Sequence, residues 1–281
     1  FSRMVLGKAS QVIDPTQKVE NILKRYGVGG PVAVMPTGIE LGRFKEEISR
    51  EEKNEMKKEL GIPLENKVLV SVGRLAKEKN LEELLEYFSR LIKEGFGKKL
   101  TFLIAGDGPD REELETLARE LQINDQVIFT GMIAPEDVGR YYKLGDVFVC
   151  ASSSETQGIT YIEALACGLP ALCRKDECLD QVITDGYNGF QYENYQYFKM
   201  HLNYILENED RRLEMGRRGR EISQLYSTWN FCTAAERIYR EAIRRREHYA
   251  DVDGEKKTEG ARGRWRIFAH TWAKGIMKRG A

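Results

Sequence analysis

Short, continuous apolar runs separated by amphipathic helical stripes constrain this chain more than any other feature. Residues 31–35, Lys67–Val72, Leu100–Ala105, 127–130, Val147–Cys150 and 169–173 read as strands. Most show no apolar–polar alternation, the pattern of strands buried on both faces of a parallel sheet. Between them, Leu81, Leu84, Leu85, Phe88, Leu91 and Ile92 recur at helical spacing, with Asn80 as the expected N-cap. Leu114, Leu117, Ala118 and Leu121 repeat the stripe after Pro109 and Asp110, which suit a helix start. Alternating strands and helices with right-handed crossovers predict an α/β fold with a Rossmann-like doubly wound parallel sheet. Ligands of such sheets gather at the carboxyl ends of the strands.

Composition narrows the function. Apolar residues make up 41% of the chain, enough for a packed core, and the formal net charge is zero. Nothing global therefore favours a nucleic-acid partner. The five cysteines, at 150, 167, 173, 178 and 232, are odd in number and lack paired C-x2-C spacing. Reduced thiols fit better than a disulfide framework or a zinc site. No secretion leader and no apolar run of membrane-spanning length is evident, so a cytoplasmic location is expected. His201, His248 and His270 share no spacing and suggest neither a metal ligand nor a base. Tyr195, Tyr197, Phe198 and Leu202 read as core.

The chain opens in mid-pattern: residues 11–14 already read as the end of a strand, so the expectation is that something upstream is missing. The expected divisions are residues 1–44, containing a helix at about 17–26 and one strand; a sheet domain at 45–225; a helix at 226–250; and a basic amphipathic tail at 251–281, its first residues a polar linker.

The chemistry collects in loops that follow strands. Gly73-Arg74-Leu75-Ala76-Lys77-Glu78-Lys79-Asn80 follows one, Gly106-Asp107-Gly108-Pro109 another, and the stretch from Ala151 through Glu155 and Gly158 to Glu163 a third. Arg74 can fork onto phosphate oxygens and Lys79 adds a point charge. Gly158 opens a helix whose free N–H groups and dipole attract anions. Together they outline a diphosphate cradle. Glu155 and Glu163 are awkward beside such a cradle unless they accept hydrogen bonds from hydroxyls, which sugars supply. Read singly, Glu155 is equally a helix-start acid and Glu163 a solvated side chain.

Taken together these segments resemble the family 4 retaining glycosyltransferases, which have the GT-B fold of two Rossmann domains. Glu155 to Glu163, with Gly158 between and Ala164-Leu165-Ala166-Cys167-Gly168-Leu169-Pro170 after, resembles the family's E-x7-E signature. Val72-Gly73-Arg74-Leu75 with Lys79 resembles its donor-phosphate motif, and Ile104-Ala105-Gly106-Asp107-Gly108-Pro109 its next strand–turn. Pro36-Thr37-Gly38-Ile39 with Phe44 resembles its interdomain linker, and Asp185-Gly186 with Asn188-Gly189-Phe190 a late loop. The likeness runs from about residue 10 to about residue 245.

The resemblance implies that the chain is the C-terminal donor-binding domain, with 1–44 a remnant of the acceptor domain. Arg74 and Lys79 would bind the donor diphosphate and stabilise charge on the leaving nucleotide. Glu155 would accept hydroxyls of the transferred sugar. Gly73, Gly158, Ile159 and Thr160 would line the phosphate and sugar, Glu163 would hold the ribose, and Gly131 and Met132 would face the base. The implied reaction is retaining transfer of a hexose from a nucleotide sugar, UDP-glucose first among donors. It calls for no metal and no other cofactor. Gln157 departs from the family's usual Phe. The isolated chain, lacking most of the acceptor domain, is expected to bind donor but hardly to catalyse.

In the tail, Trp265, Phe268, Ala269, Trp272 and Ile276 share a helical face amid Arg and Lys. That suits an anionic membrane surface touched by residues 260–281, and so peripheral attachment at the inner face of the cell membrane and a lipid acceptor, with a glycan as the other candidate. Asp176-Glu177-Cys178-Leu179-Asp180 also resembles bacterial diacylglycerol glucosyltransferases. The alternative to an enzyme is a nucleotide-sugar-binding module without activity. A dinucleotide oxidoreductase fits poorly, because Gly106-Asp107-Gly108 lacks the third glycine of the G-x-G-x-x-G turn.

Overall fold

The structure, a computed structural model, describes residue 6 and residues 9–96, 99–152 and 154–252, with side chains given as far as residue 246. Its contacts divide the chain into two compact units, residues 1–235 and residues 236–281. The expected tail at 260–281 lies outside the described residues.

Two parallel sheets are present among the described residues. The small one joins β1 (Val12–Asp14) to β2 (Val32–Val34) through α1 (Gln17–Arg25). Thr16 caps α1 by accepting from the Val19 N–H. The large sheet holds β3 (Lys67–Val72), β4 (Leu100–Ala105), β5 (Val127–Phe129), β6 (Val147–Cys150), β7 (Ala171–Arg174) and β8 (Gly189–Tyr192). All its pairings are parallel, in the order β5-β4-β3-β6-β7-β8. The strand order reverses between β3 and β6, the switch point at which doubly wound sheets bind ligands.

Both faces of the sheet are buried, which explains the unbroken apolar runs. Successive strand residues point to opposite faces. Val68, Val70, Leu103 and Phe148 enter one core. Leu69, Phe102, Ile104, Val147 and Val149 enter the other. Onto the second core packs α4 (Leu81–Lys93), burying Leu81, Leu84, Leu85, Phe88 and Leu91, followed by α5 (Arg111–Glu120) with Leu114 and Ala118. The first core takes α6 (Val138–Leu144) and α7 (Ile159–Ala166), which buries Tyr161, Ile162, Ala164, Leu165 and Ala166. The remaining helices are α2 (Gly42–Lys45) and α3 (Arg50–Glu59) before β3, then α8 (Tyr195–Leu206), α9 (Glu209–Ser223) and α10 (Thr228–Val252).

Several expectations are corrected. The strand expected at 31–35 spans only Val32–Val34, that at 127–130 ends at Phe129, and that at 169–173 begins at Ala171. Gly189–Tyr192, read as part of a late loop, is the edge strand β8. Its glycine lets the backbone close on β7: a Cβ there would meet the Ala171 carbonyl oxygen at 2.1 Å. Asn80 stands at the N-cap of α4 but does not cap by accepting. Its backbone is left-handed (φ 50°), and its side chain donates to Glu83. The helix expected at 226–250 begins at Thr228, after a 3-10 turn, Gln224–Tyr226, that separates α10 from α9. Tyr195, Phe198 and Leu202 are core, whereas Tyr197 on the same helix is half exposed.

Candidate functional site

The loops after β3 and β4 are locked by glycines. Gly73 (φ 148°) carries the chain out of β3. A Cβ on Gly106 would lie 2.0 Å from the Gly73 carbonyl oxygen, and one on Gly108 2.2 Å from that of Leu75. Only glycine permits so close an approach. Hydrogen bonds then lace the loops together, Leu75 N–H to the Asp107 carbonyl at 3.0 Å and Asp110 N–H to that of Leu75 at 3.1 Å. Gly131, after β5, bridges to Gly106. Gly73, Gly106 and Gly131 thus share one edge of the sheet.

The loop after β6 joins them across the switch point. The Ser152 hydroxyl donates to the Glu78 carbonyl at 3.0 Å. Lys79, closing a 3-10 turn (Lys77–Lys79), places its Nζ 2.6 Å from Glu155 Oε1. Both side chains are mostly buried, 24% and 11% exposed, so the pair is less screened than a surface ion pair. Arg74 is at the same edge but two-thirds exposed, its guanidinium 2.5 Å from Glu78. A pocket here is lined by Gly73, Arg74, Lys79, Cys150 and Thr160, among others. Gly158 (φ 70°) is the N-cap of α7, so the N–H groups of Ile159 and Thr160 open the helix with no partner inside it. Met132 is 86% exposed beside Gly131.

Glu163, one turn into α7, is not a solvated side chain. Burial pushes its carboxyl above the ordinary range, opposed by a hydrogen bond from Tyr142 and by the charge of Arg43. The Tyr142 hydroxyl lies 3.0 Å from Glu163 Oε2 and 3.2 Å from the Thr160 carbonyl. Its single proton serves one of these acceptors at a time. Tyr142, in α6, orients Glu163, and sequence reasoning did not single it out.

Three further contacts, also unforeseen, hold the Glu155 loop to the first part of the chain. The Lys18 ammonium of α1 donates to the Glu155 carbonyl at 2.9 Å and pairs with Asp176 at 2.7 Å. Thr16 Oγ1 donates to the Thr156 carbonyl at 2.7 Å. Gln157, 5% exposed, accepts from the Thr37 N–H at 2.9 Å and donates to the Thr37 carbonyl at 3.3 Å. That side chain thus clasps both backbone polar groups of Thr37, in the 36–39 linker. A phenylalanine could make neither bond.

The expected site residues are therefore adjacent. Gly73, Arg74, Lys79 and Glu155 meet across the switch point, Gly158, Ile159 and Thr160 open α7 beside them, Glu163 lies one turn deeper, and Gly131 and Met132 flank the β4 loop. Cations, a helix N-terminus and two carboxylates converge at a strand-end edge. Such an arrangement can hold a phosphorylated, hydroxyl-bearing ligand.

Comparison with known proteins is consistent with that chemistry. Residues 52–222 match the family model described as Glycosyl transferases group 1. An alpha-monoglucosyldiacylglycerol synthase of Streptococcus pneumoniae is 42% identical over 182 residues, 64% of this chain and 41% of that protein. One of Acholeplasma laidlawii is 32% identical over 232 residues, 82% of this chain and 58% of that protein. The chain thus spans about half the length of these relatives. Sucrose-phosphate synthase of Thermosynechococcus elongatus superposes with TM-score 0.74 at 23% identity, covering 86% of this chain and 60% of that one. Anabaena HepE, solved in complex with UDP and glucose, gives TM-score 0.72 at 21% identity, covering 85% and 68%. These two likenesses establish the fold. Among the described residues no helix is long and apolar enough to cross a membrane.

Proposed function

The chain belongs to the group 1 glycosyl transferases, and on that premise we propose that it is the donor-binding half of a retaining hexosyltransferase. The observation that carries the reading is the Lys79–Glu155 pair astride the switch point, beside Arg74 and the N-terminus of α7. In this structure each charge of the pair compensates the other. An arriving diphosphate takes Lys79 and Arg74, and the released Glu155 carboxylate accepts hydroxyls of the sugar. One exchange thus builds both the phosphate and the sugar subsites. As the bond from the anomeric carbon to the β-phosphate oxygen breaks, negative charge grows on the nucleotide, where Lys79, Arg74 and the α7 N–H groups stabilise it. This arrangement calls for no metal.

Glu163 holds the ribose hydroxyls, with Tyr142 fixing its orientation, and Gly131 and Met132 border the base. The donor is UDP-glucose and the acceptor a membrane glycerolipid. The relatives named alpha-monoglucosyldiacylglycerol synthase support glucose and lipid. The Anabaena complex with UDP and glucose, on the same fold, supports the base. Residues 1–44 belong to the acceptor-side domain, and residues 260–281 attach the enzyme peripherally to the membrane. Calorimetric titration with UDP and then UDP-glucose tests the donor site. Binding that Lys79→Ala and Glu163→Ala both weaken supports it; binding of neither ligand to a folded chain refutes it.

A further inference from the structure

The residue directly after Lys79 makes an uncommon turn. Asn80 has φ 50° and ψ 42°. Among the described residues only Asn80 and Gln122 combine a side chain with a positive φ. A residue with a Cβ stays in the left-handed region only when its surroundings hold it there. Here the Asn80 Nδ2 donates to Glu83 Oε2 at 3.1 Å.

Glu83 is the third residue of α4, and it differs from an ordinary acid of a first helical turn. Its neighbour Glu82 pairs with Lys77 at 2.7 Å, and both are partly exposed. Glu83, 15% exposed, instead gathers three donors. Arg174, which ends β7, bonds to the same oxygen as Asn80. Tyr192, which ends β8 and is fully buried, places its hydroxyl 3.2 Å from Oε1. That hydroxyl is also 3.5 Å from the Cys150 carbonyl, where β6 ends. The carboxylate therefore ties the start of α4, which follows β3, to strands on the far side of β6. Lys79 stands just before that start, and Glu155 lies in the loop after β6. The tie and the ion pair thus span the same switch point. A mostly buried carboxylate with charge-assisted bonds to separate elements has little freedom to shift.

We propose that Glu83 is a positioning residue: gripped by Arg174 and Tyr192, it pins Asn80 in its left-handed turn and so sets the Lys79 ammonium against Glu155. That Lys79 then meets a diphosphate rests on the proposed function; its placement by Glu83 does not.

Competitive amine labelling read by mass spectrometry, with the mostly exposed Lys24 as internal reference, tests the placement. Asn80→Gly is the informative variant, because glycine takes this turn without strain but cannot bond to Glu83. The domain should keep or gain Tm, while Lys79, loosened from Glu155, labels about tenfold faster than in the parent. Glu83→Gln removes the charge that Arg174 and Asn80 share and should speed labelling in the same way. Unchanged Lys79 labelling in either folded variant overturns the proposal. Titration with UDP separates the placement from the donor reading. Each variant should weaken UDP binding about tenfold, and neither should weaken it further once Lys79 is replaced by methionine. Faster labelling with UDP binding unchanged upholds the placement and refutes the donor reading. Weakening that persists in the Lys79→Met background means that Glu83 acts on something other than Lys79, and overturns the proposal.

Discussion

Replacing Lys79 with methionine tests the proposed exchange at the donor site more sharply than simple loss of binding. A charge-assisted hydrogen bond contributes about 1.5–3 kcal/mol, so losing the Lys79–phosphate contact weakens UDP binding roughly 10- to 150-fold. A second effect follows from the geometry. Glu155, 11% exposed and 2.6 Å from Lys79, is left as an uncompensated carboxylate facing the incoming diphosphate. Lys79→Met should therefore bind UDP worse than the double variant Lys79→Met/Glu155→Gln, by about tenfold or about 1.4 kcal/mol of coupling. Glu155→Gln alone frees Lys79 and should bind UDP at least as tightly as the parent, while losing preference for UDP-glucose over UDP. Calorimetry on the four proteins closes the cycle, with unfolding curves confirming that each is folded. Additive effects, with no recovery in the double variant, would refute the idea that the pair opens to admit the donor.

Other substitutions probe the supporting structure. Gly106→Ala should unfold the domain or destabilise it by more than about 3 kcal/mol in urea, because its Cβ would lie 2.0 Å from the Gly73 carbonyl oxygen at φ 143°; a loss under about 1 kcal/mol contradicts the packing described. Glu163 is raised above its ordinary 4.5, so the folded state holds its proton more tightly than the unfolded chain. Its contribution to stability is present below pH 4.5 and declines as pH rises through the folded value. Glu163→Gln should accordingly raise Tm at neutral pH, leave it unchanged below pH 4.5, and weaken UDP binding; a lowered Tm at neutral pH argues against a desolvated carboxylate. Gln157→Leu, which strips two hydrogen bonds from the backbone of Thr37, should reduce stability by about 1–2 kcal/mol, and proteolysis should cut the 36–39 linker faster; unaltered cleavage means the clasp does not hold the linker.

The strands Lys67–Val72, Leu100–Ala105 and Val147–Cys150 coincide with their sequence expectations at both ends, because each is a mainly apolar run bounded by loop residues. The ends that slipped lie where Gly, Pro or Thr blur the edge of the run. β8 escaped notice because Gly189 and Gln191 interrupt its apolar pattern, and only its register against β7 makes it a strand. The candidate site residues could be picked out for a related reason: they occupy loops just after strands, at the edge where a doubly wound sheet presents ligands.

What the amino-acid sequence determined by itself was therefore the part of the molecule governed by local periodicity: the alternation of strands and helices, the class of sheet, and which loops share an edge. What only the tertiary structure decided was who meets whom across that edge. Lys79 finds Glu155 at a separation of 76 residues, Gln157 finds Thr37 at 120, and Lys18 reaches the Glu155 loop at 137. Tyr142 and Glu163 come from separate helices packed on one face of the sheet. Backbone propensity acts over a few neighbours. Burial, and the pairing of charges that burial demands, act only once the chain has closed on itself.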